Sequence, residues 1–240
     1  MDVYWVEQTA NDVPADNQWL SAGERQCLIR LRIPKRRTDW RLGRWTAKHA
    51  VAAHLNLPSD LHSLANIEIR AAPSGAPEVF LFDQPAPVTI SLSHTAQAAM
   101  CAIARAGFRL GCDLEVIEPR SNAFVSDYFT PNEQALVERT AEHERPRLIN
   151  LLWSAKESAL KALHVGLRLD TNCVEVHPLD ALKVEDNKDQ RDPCPIALLT
   201  SGPYGWHPLQ VSFADAKVFH GWWRDADQMI RSVICDPESR

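Results

Sequence analysis

Between Val88 and Ile117 the chain reads as three strands joined by turns of only a few residues. Val88-Thr89-Ile90-Ser91-Leu92-Ser93 alternates strictly, with Val88, Ile90 and Leu92 on one face. Thr95 to Gln97 turns the chain, Met100 to Arg105 returns as a buried strand, and Gly107 marks the turn into Arg109 to Ile117. Connections this short join antiparallel neighbours, because a parallel pair needs a crossover of a dozen residues or more. The rest of the chain adds helices to this pattern. Ser21-Ala22-Gly23-Glu24 is a capping-box sequence opening a helix toward Leu31, with Pro34 as its stop. A longer helix is expected from Arg36 to Leu55, one from Pro131 to Arg139, and one from about Arg145 to Leu163 that ends near Gly166. Strands are expected at Val3 to Glu7, Val79 to Phe82, Leu209 to Phe213, Lys217 to Arg224 and Met229 to Cys235, and an exposed loop from Pro178 to Pro195. The expected class is α+β: two similar halves, residues 1–106 and 107–240, each a small antiparallel sheet packed with helices. No internal repeat is strong enough to establish a duplication.

Composition removes several function classes. With 45% hydrophobic and 24% charged residues the chain is globular rather than disordered. A net charge of -5 argues against nucleic-acid binding in bulk. The charge is uneven, though: Arg25 to Lys48 holds nine Lys/Arg and one acid, Asp39, which suits a small anionic ligand. Six scattered cysteines with no C-x-x-C spacing point to a reduced, cytoplasmic protein. A signal peptide and an 18-residue apolar run are both missing, so no membrane association is expected.

The chemistry-bearing residues lie on two elements. In Gly111-Cys112-Asp113-Leu114-Glu115, strand alternation puts Asp113 and Glu115 on one face, about 6.6 Å apart along the strand. Cys112, Leu114 and Val116 take the other face. Two such carboxylates either neutralise a cation such as Mg²⁺ or belong to a wet strand edge. The helix Trp153-Ser154-Ala155-Lys156-Glu157-Ser158-Ala159-Leu160-Lys161 carries Glu157 and Lys161 at i, i+4, which is an ordinary ion pair or a third metal carboxylate with a phosphate-neutralising lysine. Lys156 lies about a quarter turn from Glu157. Ser93-His94, at a strand end, either touches phosphate or is a satisfied surface pair. Arg37, Arg41, Arg44 and Lys48 share one helix face, with Lys35 and Arg36 before them, and guanidinium forks match phosphate well.

Taken together, Gly111–Glu115 and Trp153–Lys161 resemble the G-x-D-x-E and W-x-x-K-E-x-x-x-K signatures of 4′-phosphopantetheinyl transferases. Ser91-Leu92-Ser93-His94 is similar to that family's S-x-S-H segment, and Lys35 through Lys48 to its basic motif. Order and spacing resemble the larger, surfactin-synthetase (Sfp) type, whose single chain is a pseudo-dimer with pseudo-twofold symmetry. The resemblance implies transfer of phosphopantetheine from coenzyme A to a serine of an apo carrier protein of fatty-acid, polyketide or nonribosomal-peptide synthesis, leaving 3′,5′-ADP. It implies Asp113, Glu115 and Glu157 as Mg²⁺ ligands and Glu157 as the base, directly or through a water. Lys161 and Lys156 become catalytic and coenzyme A-binding residues, and Arg36, Arg44, Lys48, Ser93 and His94 coenzyme A contacts. It further implies a monomer, and a carrier-docking region at Phe124 to Thr130 whose aromatic residues could equally be core. Many relatives carry G-K-P where this chain has Gly75-Ala76-Pro77, so the charge they have there is missing at Ala76. Two other readings use the same ingredients: a catalytically silent coenzyme A or carrier-binding module, and another Mg²⁺-dependent phosphotransfer enzyme.

Overall fold

The structure is a computed structural model that describes residues 3–96, 98–165, 169–179, 196–198, 205–213 and 217–237. Gln97, Gly166, Cys194 and residues 180–195 of the expected loop lie outside these. In chain order the elements are β1 (Val3–Thr9), α1 (Ala22–Arg30), α2 (Pro34–His54), α3 (Leu61–Ala65), β2 (Ile67–Ala71), β3 (Pro77–Leu81), β4 (Gln84–Pro85), β5 (Val88–His94), β6 (Ala98–Arg105) and β7 (Phe108–Val116). There follow α4 (Asn122–Tyr128), α5 (Pro131–Arg139), α6 (Arg145–Ala162), β8 (Val174–Pro178), β9 (Ile196–Leu198), β10 (His207–Phe213), β11 (Val218–Ala226) and β12 (Met229–Pro237).

The class is α+β. Among the described residues the strands form three sheets, β5-β6-β1-β9, β7-β12-β11-β10-β8 and β2-β3-β4. Every ladder is antiparallel except that of β1 with β9. Period-2 alternation organises the layers. Cys101 and Ile103 of β6 face α2, whereas Met100, Ala102 and Ala104 face the second large sheet. Leu110, Cys112 and Leu114 of β7 enter the same inter-sheet core, and Ile230 and Ile234 of β12 turn to α6. Two sheets thus pack face to face, with a long helix on each outer side. Gly111, Asp113 and Glu115 fall on the α6 face of β7.

Gly111 sets how closely α6 approaches. A Cβ there would collide with the Ser158 carbonyl oxygen and lie 2.8 Å from Ala162 N, both backbone atoms of α6 that cannot swing aside. Gly107, at φ 91°, takes the left-handed turn between β6 and β7.

A correspondence runs through the chain that the sequence did not reveal. Ser21 and Glu24 form a capping box at α1, and Thr130 and Glu133 form one at α5. Glu24 reaches on to accept from Ile69 N of β2, and Glu133 from Val176 N of β8. Each acid pairs with a buried lysine of the following long helix, Glu24 with Lys48 at 2.6 Å and Glu133 with Lys156 at 2.8 Å. Those lysines sit in Trp45-Thr46-Ala47-Lys48 and Trp153-Ser154-Ala155-Lys156. The order β1-β6-β5 with β3-β2 matches β7-β12-β11-β10-β8, except that β5 and β3 are not joined by a ladder.

Several elements differ from expectation. Pro34 does not merely stop α1; it is the first-turn proline of α2, where its missing N–H is harmless. One small sheet per half becomes two before β7, because β3 and β5 lie side by side unbonded. Helices α3 and α4, of five and seven residues, are too short to show a helical period but are capped by Asp60 and Ser121. Strand β8 has no counterpart among the expected elements, although Val174 and Val176 alternate into the core. Gly111→Ala is expected to cost about 2–3 kcal/mol through overpacking. Urea unfolding would show a lowered midpoint, and a midpoint equal to wild type would mean α6 does not press on this residue.

Candidate functional site

The end of β7, the end of β5 and one face of α6 enclose a cleft of about 380 Å³ lined by Leu92, Ser93, His94, Asp113, Leu114, Glu115, Trp153, Glu157 and Lys161. Strand β5 meets β7 there through side chains: Ser91 Oγ accepts from Cys112 N at 2.9 Å, and Ser93 Oγ donates to Asp113 Oδ1 at 2.7 Å. Lys161 Nζ donates to the same Asp113 oxygen at 2.7 Å and to Cys112 O at 3.1 Å. The other oxygen, Asp113 Oδ2, is buried and has no hydrogen-bond partner among the described residues. Glu115 Oε1 accepts from Trp153 Nε1 at 3.1 Å and Oε2 from Arg120 Nη2 at 3.0 Å.

The electrostatics follow from burying three acids together. Glu115 is pushed up to about 7, by burial first and by Asp113 next, with Arg120 and the Trp153 bond opposing. Glu157 is raised by burial and by Asp113, with Lys161 opposing. Burial alone would lower Lys161, but Asp113, Cys112 and Glu157 together raise it, so it stays charged. An orphaned carboxylate oxygen beside two acids held toward protonation is an environment that a small divalent cation would relieve. Among the described residues, however, no three His, Cys, Asp or Glu side chains gather around one ion-sized point. Glu115 is turned to Arg120 and Trp153.

A second cavity, of about 320 Å³, adjoins the first and shares Leu92 and Lys161 with it. Its walls include Arg44, Arg70, Ser74, Ala76, Ser91 and His164. Arg44 lies over the Trp40 ring at 4.9 Å and 3.8 Å from Glu24. Arg70 is held over Phe80 by Glu68 and Asp83.

Not every expected site residue arrives here. Asp113, Glu115, Glu157, Lys161, Ser93 and His94 share the cleft, and Arg44 the adjoining cavity. Arg36 is exposed on the first turns of α2 and lines neither cavity. Lys48 and Lys156 do not face the site at all. Lys48 is fully buried, donating to Trp19 O and Leu64 O beside Glu24. Lys156 is fully buried, donating to Thr171 O and Val174 O beside Glu133. The basic face of α2 is likewise spent inside the fold: Arg37 donates to Leu28 O and Leu31 O, and Arg41 to Pro14 O and Asp16 O. Lys161 closes on Asp113 rather than on Glu157. The aromatic stretch after β7 divides: Phe129 is core, while Tyr128 is partly exposed and stacks edge-on with Trp153 at 5.1 Å.

Three residues of the two cavities and their rim escaped the sequence reading. Arg70 precedes the turn-rich segment in sequence and returns to it only because β2 pairs with β3. His164 follows the Lys161 helix in a left-handed conformation. Arg120 lies five residues past Glu115, and its lone arginine gave no pattern to notice.

A family model described as the 4′-phosphopantetheinyl transferase superfamily (ACPS) matches residues 109–201. The match takes in Asp113, Glu115, Trp153, Glu157 and Lys161, but begins after Ser93, His94 and α2. No curated protein matches the chain.

Two measurements follow from this geometry. Lys156→Met leaves Glu133 buried without its partner and is expected to cost about 3–5 kcal/mol, much of it restored by adding Glu133→Leu. Thermal unfolding checks this; a Lys156→Met protein of wild-type stability would return the lysine to the site. Glu115 has its pKa raised on folding, so its contribution to stability is present below the ordinary carboxylate range and is lost as pH rises through about 7. Wild type should therefore lose more stability than Glu115→Gln between pH 5 and pH 8 in metal-free urea titrations, and equal losses would contradict the assignment.

Proposed function

We propose that the chain is a 4′-phosphopantetheinyl transferase of the Sfp type, moving phosphopantetheine from coenzyme A to a serine of an apo carrier protein. The observation that carries this reading is the single cleft in which Asp113, Glu115, Glu157, Lys161 and Ser93 meet beside an arginine-lined cavity. The superfamily match over residues 109–201 supports it. Asp113, Glu115 and Glu157 would hold a Mg²⁺ ion, which the orphaned Asp113 Oδ2 and the raised carboxylates suit. When bound, that ion supplies charge neutralisation at the pyrophosphate.

The chain's own residues account for the remaining steps. Glu157 sits on the open side of α6 with its carboxyl raised, which suits it to take the proton of the carrier serine hydroxyl. The serine oxygen forms a bond to the phosphorus of the pantetheine phosphate. The bond from that phosphorus to the bridging oxygen breaks, and the electron pair leaves with 3′,5′-ADP. Lys161, charged and fixed against Asp113, offsets charge on the departing phosphate. Ser93 and His94 border the phosphates. Arg44 and Arg70 flank the cavity at the nucleotide end, and Arg70 brings the charge that Ala76 lacks.

The matched capping boxes and buried lysines favour a pseudo-dimer divided near residues 106 and 107, working as a monomer. The free thiols of Cys27, Cys101, Cys112, Cys173 and Cys235 favour a reducing, cytoplasmic setting. No helix among the described residues is long and apolar enough to cross a membrane. Tyr128 and Trp153, beside Glu115, form the surface on which the carrier would dock.

Incubated with coenzyme A, Mg²⁺ and a panel of apo carriers, the protein should add one phosphopantetheine to a carrier by intact mass. Asp113→Asn and Glu157→Gln should lose the transfer by at least about a hundredfold, the usual worth of a positioned acid–base group. No mass gain on any carrier, or near wild-type turnover in either variant, would sink the reading.

A further inference from the structure

Arg120 has no part in the chemistry above, yet it is among the most firmly held side chains beside the cleft. Its Nη2 donates to Glu115 at 3.0 Å, its Nη1 lies 3.1 Å from Glu118 Oε1, and its Nε donates to Asn150 Oδ1 at 3.0 Å. The guanidinium also lies over the Phe124 ring, 5.2 Å from its centroid. Asn150 is fully buried on α6 and is itself fixed, donating to Glu118 O and Pro146 O at 2.7 Å each. The fork is therefore aimed at Glu115 by groups that do not depend on Glu115. Glu118 gives the guanidinium a second acid, so its charge stays compensated if Glu115 turns away.

With Trp153 on its other oxygen, Glu115 has both oxygens engaged, and among the described residues it does not gather with Asp113 and Glu157 around one ion-sized point. Asp113 is engaged on one oxygen only, Oδ1, by Lys161 and Ser93. Resident cations thus already hold both β7 carboxylates that a divalent ion would have to recruit.

We propose that Arg120 is a latch on the cation site, a positioning residue that acts through Glu115. It holds Glu115 aside in the free protein, and a divalent cation must outcompete the guanidinium before both β7 carboxylates face it. The latch keeps cation affinity low until coenzyme A contributes its own phosphate oxygens, so cation and substrate load together. This rests on the transferase reading, since it takes Asp113, Glu115 and Glu157 as the cation's ligands.

Manganese(II) binding to the full chain without coenzyme A, followed by the EPR signal of the free ion at pH 8.5, tests the latch directly. Arg120→Gln removes a unit charge a few ångströms from Glu115 and should tighten binding about tenfold. Arg120→Lys keeps the charge but loses the fork, and should tighten it by a smaller factor. Adding coenzyme A should tighten wild type more than Arg120→Gln. Equal or weaker binding in Arg120→Gln would overturn the latch and make Arg120 a support of the loaded site, with wild-type binding leaving the transferase reading intact. If wild type binds no manganese with or without coenzyme A, the latch and the metal assignment fall together. Should Arg120→Gln fail to fold, Arg120→Lys decides alone, unchanged affinity counting against the latch.

Discussion

The cleft depends on the closeness of α6 to β7, and that closeness is set where Gly111 offers no side chain. With hydrogen in place of a Cβ, the Ser158 and Ala162 backbone rests directly on the strand. Lys161 is then near enough to reach Cys112 O and Asp113, while Trp153, two turns earlier, reaches Glu115. A methyl group of separation would break these hydrogen bonds together, because all of them bridge the same two rigid elements. The glycine that opens the acidic motif therefore has a packing cause, and the spacing from Gly111 to Glu115 follows from it: every second residue of β7 meets the helix.

The long helix is held from its other side by an ion pair. Burial presses both Glu133 and Lys156 toward their neutral forms, and their mutual attraction opposes this. Such a pair is tolerable only because every remaining donor and acceptor has a partner: Thr130 N and Val176 N for the acid, Thr171 O and Val174 O for the lysine. The arrangement ties the start of α5, the middle of α6 and the start of β8 into one unit. Glu24 and Lys48 do the same for α1, α2 and β2, with burial lowering Lys48 against the pull of Glu24. Neither lysine has a proton or a charge to spare for a ligand.

This explains what was legible in the sequence and what was not. Strand alternation from Val88 to Val116 and the proline-led start of α5 are local signals, and the structure keeps them. Alternation pairs Asp113 with Glu115 and helical spacing pairs Glu157 with Lys161, whereas the meeting of the two elements is implied only by the family resemblance. The fate of the lysines was not. Lys156 and Glu157 are neighbours with the same polarity on paper, and only the position of Glu133 on another helix separates a core residue from a cleft residue. The basic face of α2 misled for a similar reason. Few acids lie near these cations in sequence, yet Arg37 and Arg41 spend their donors on backbone carbonyls and Lys48 on carbonyls and the distant Glu24, which a sequence does not display. The matched Trp45–Lys48 and Trp153–Lys156 segments were visible throughout, but four residues carry no weight until the two helices are seen to make the same buried pair.

The charge pattern of the two cavities then has a physical logic. Three acids crowded into one partly buried cleft repel one another, and the fold balances them with fixed cations: Lys161 on Asp113 and Arg120 on Glu115. Each of those cations is anchored by further groups, so the compensation costs little reorganisation when the surroundings change. The adjoining cavity inverts the balance. Arg44 and Arg70 line it, and their acidic partners, Glu24, Glu68 and Asp83, pair with them without lining the cavity themselves. A ligand spanning both spaces would need negative charge at the arginine end and a group able to share a cation at the carboxylate end. The proposed coenzyme A, with a pyrophosphate joined to a phosphorylated nucleoside, would carry both features. Arg44 and Arg70 thus put positive charge on one wall of a cavity in a chain whose net charge is -5.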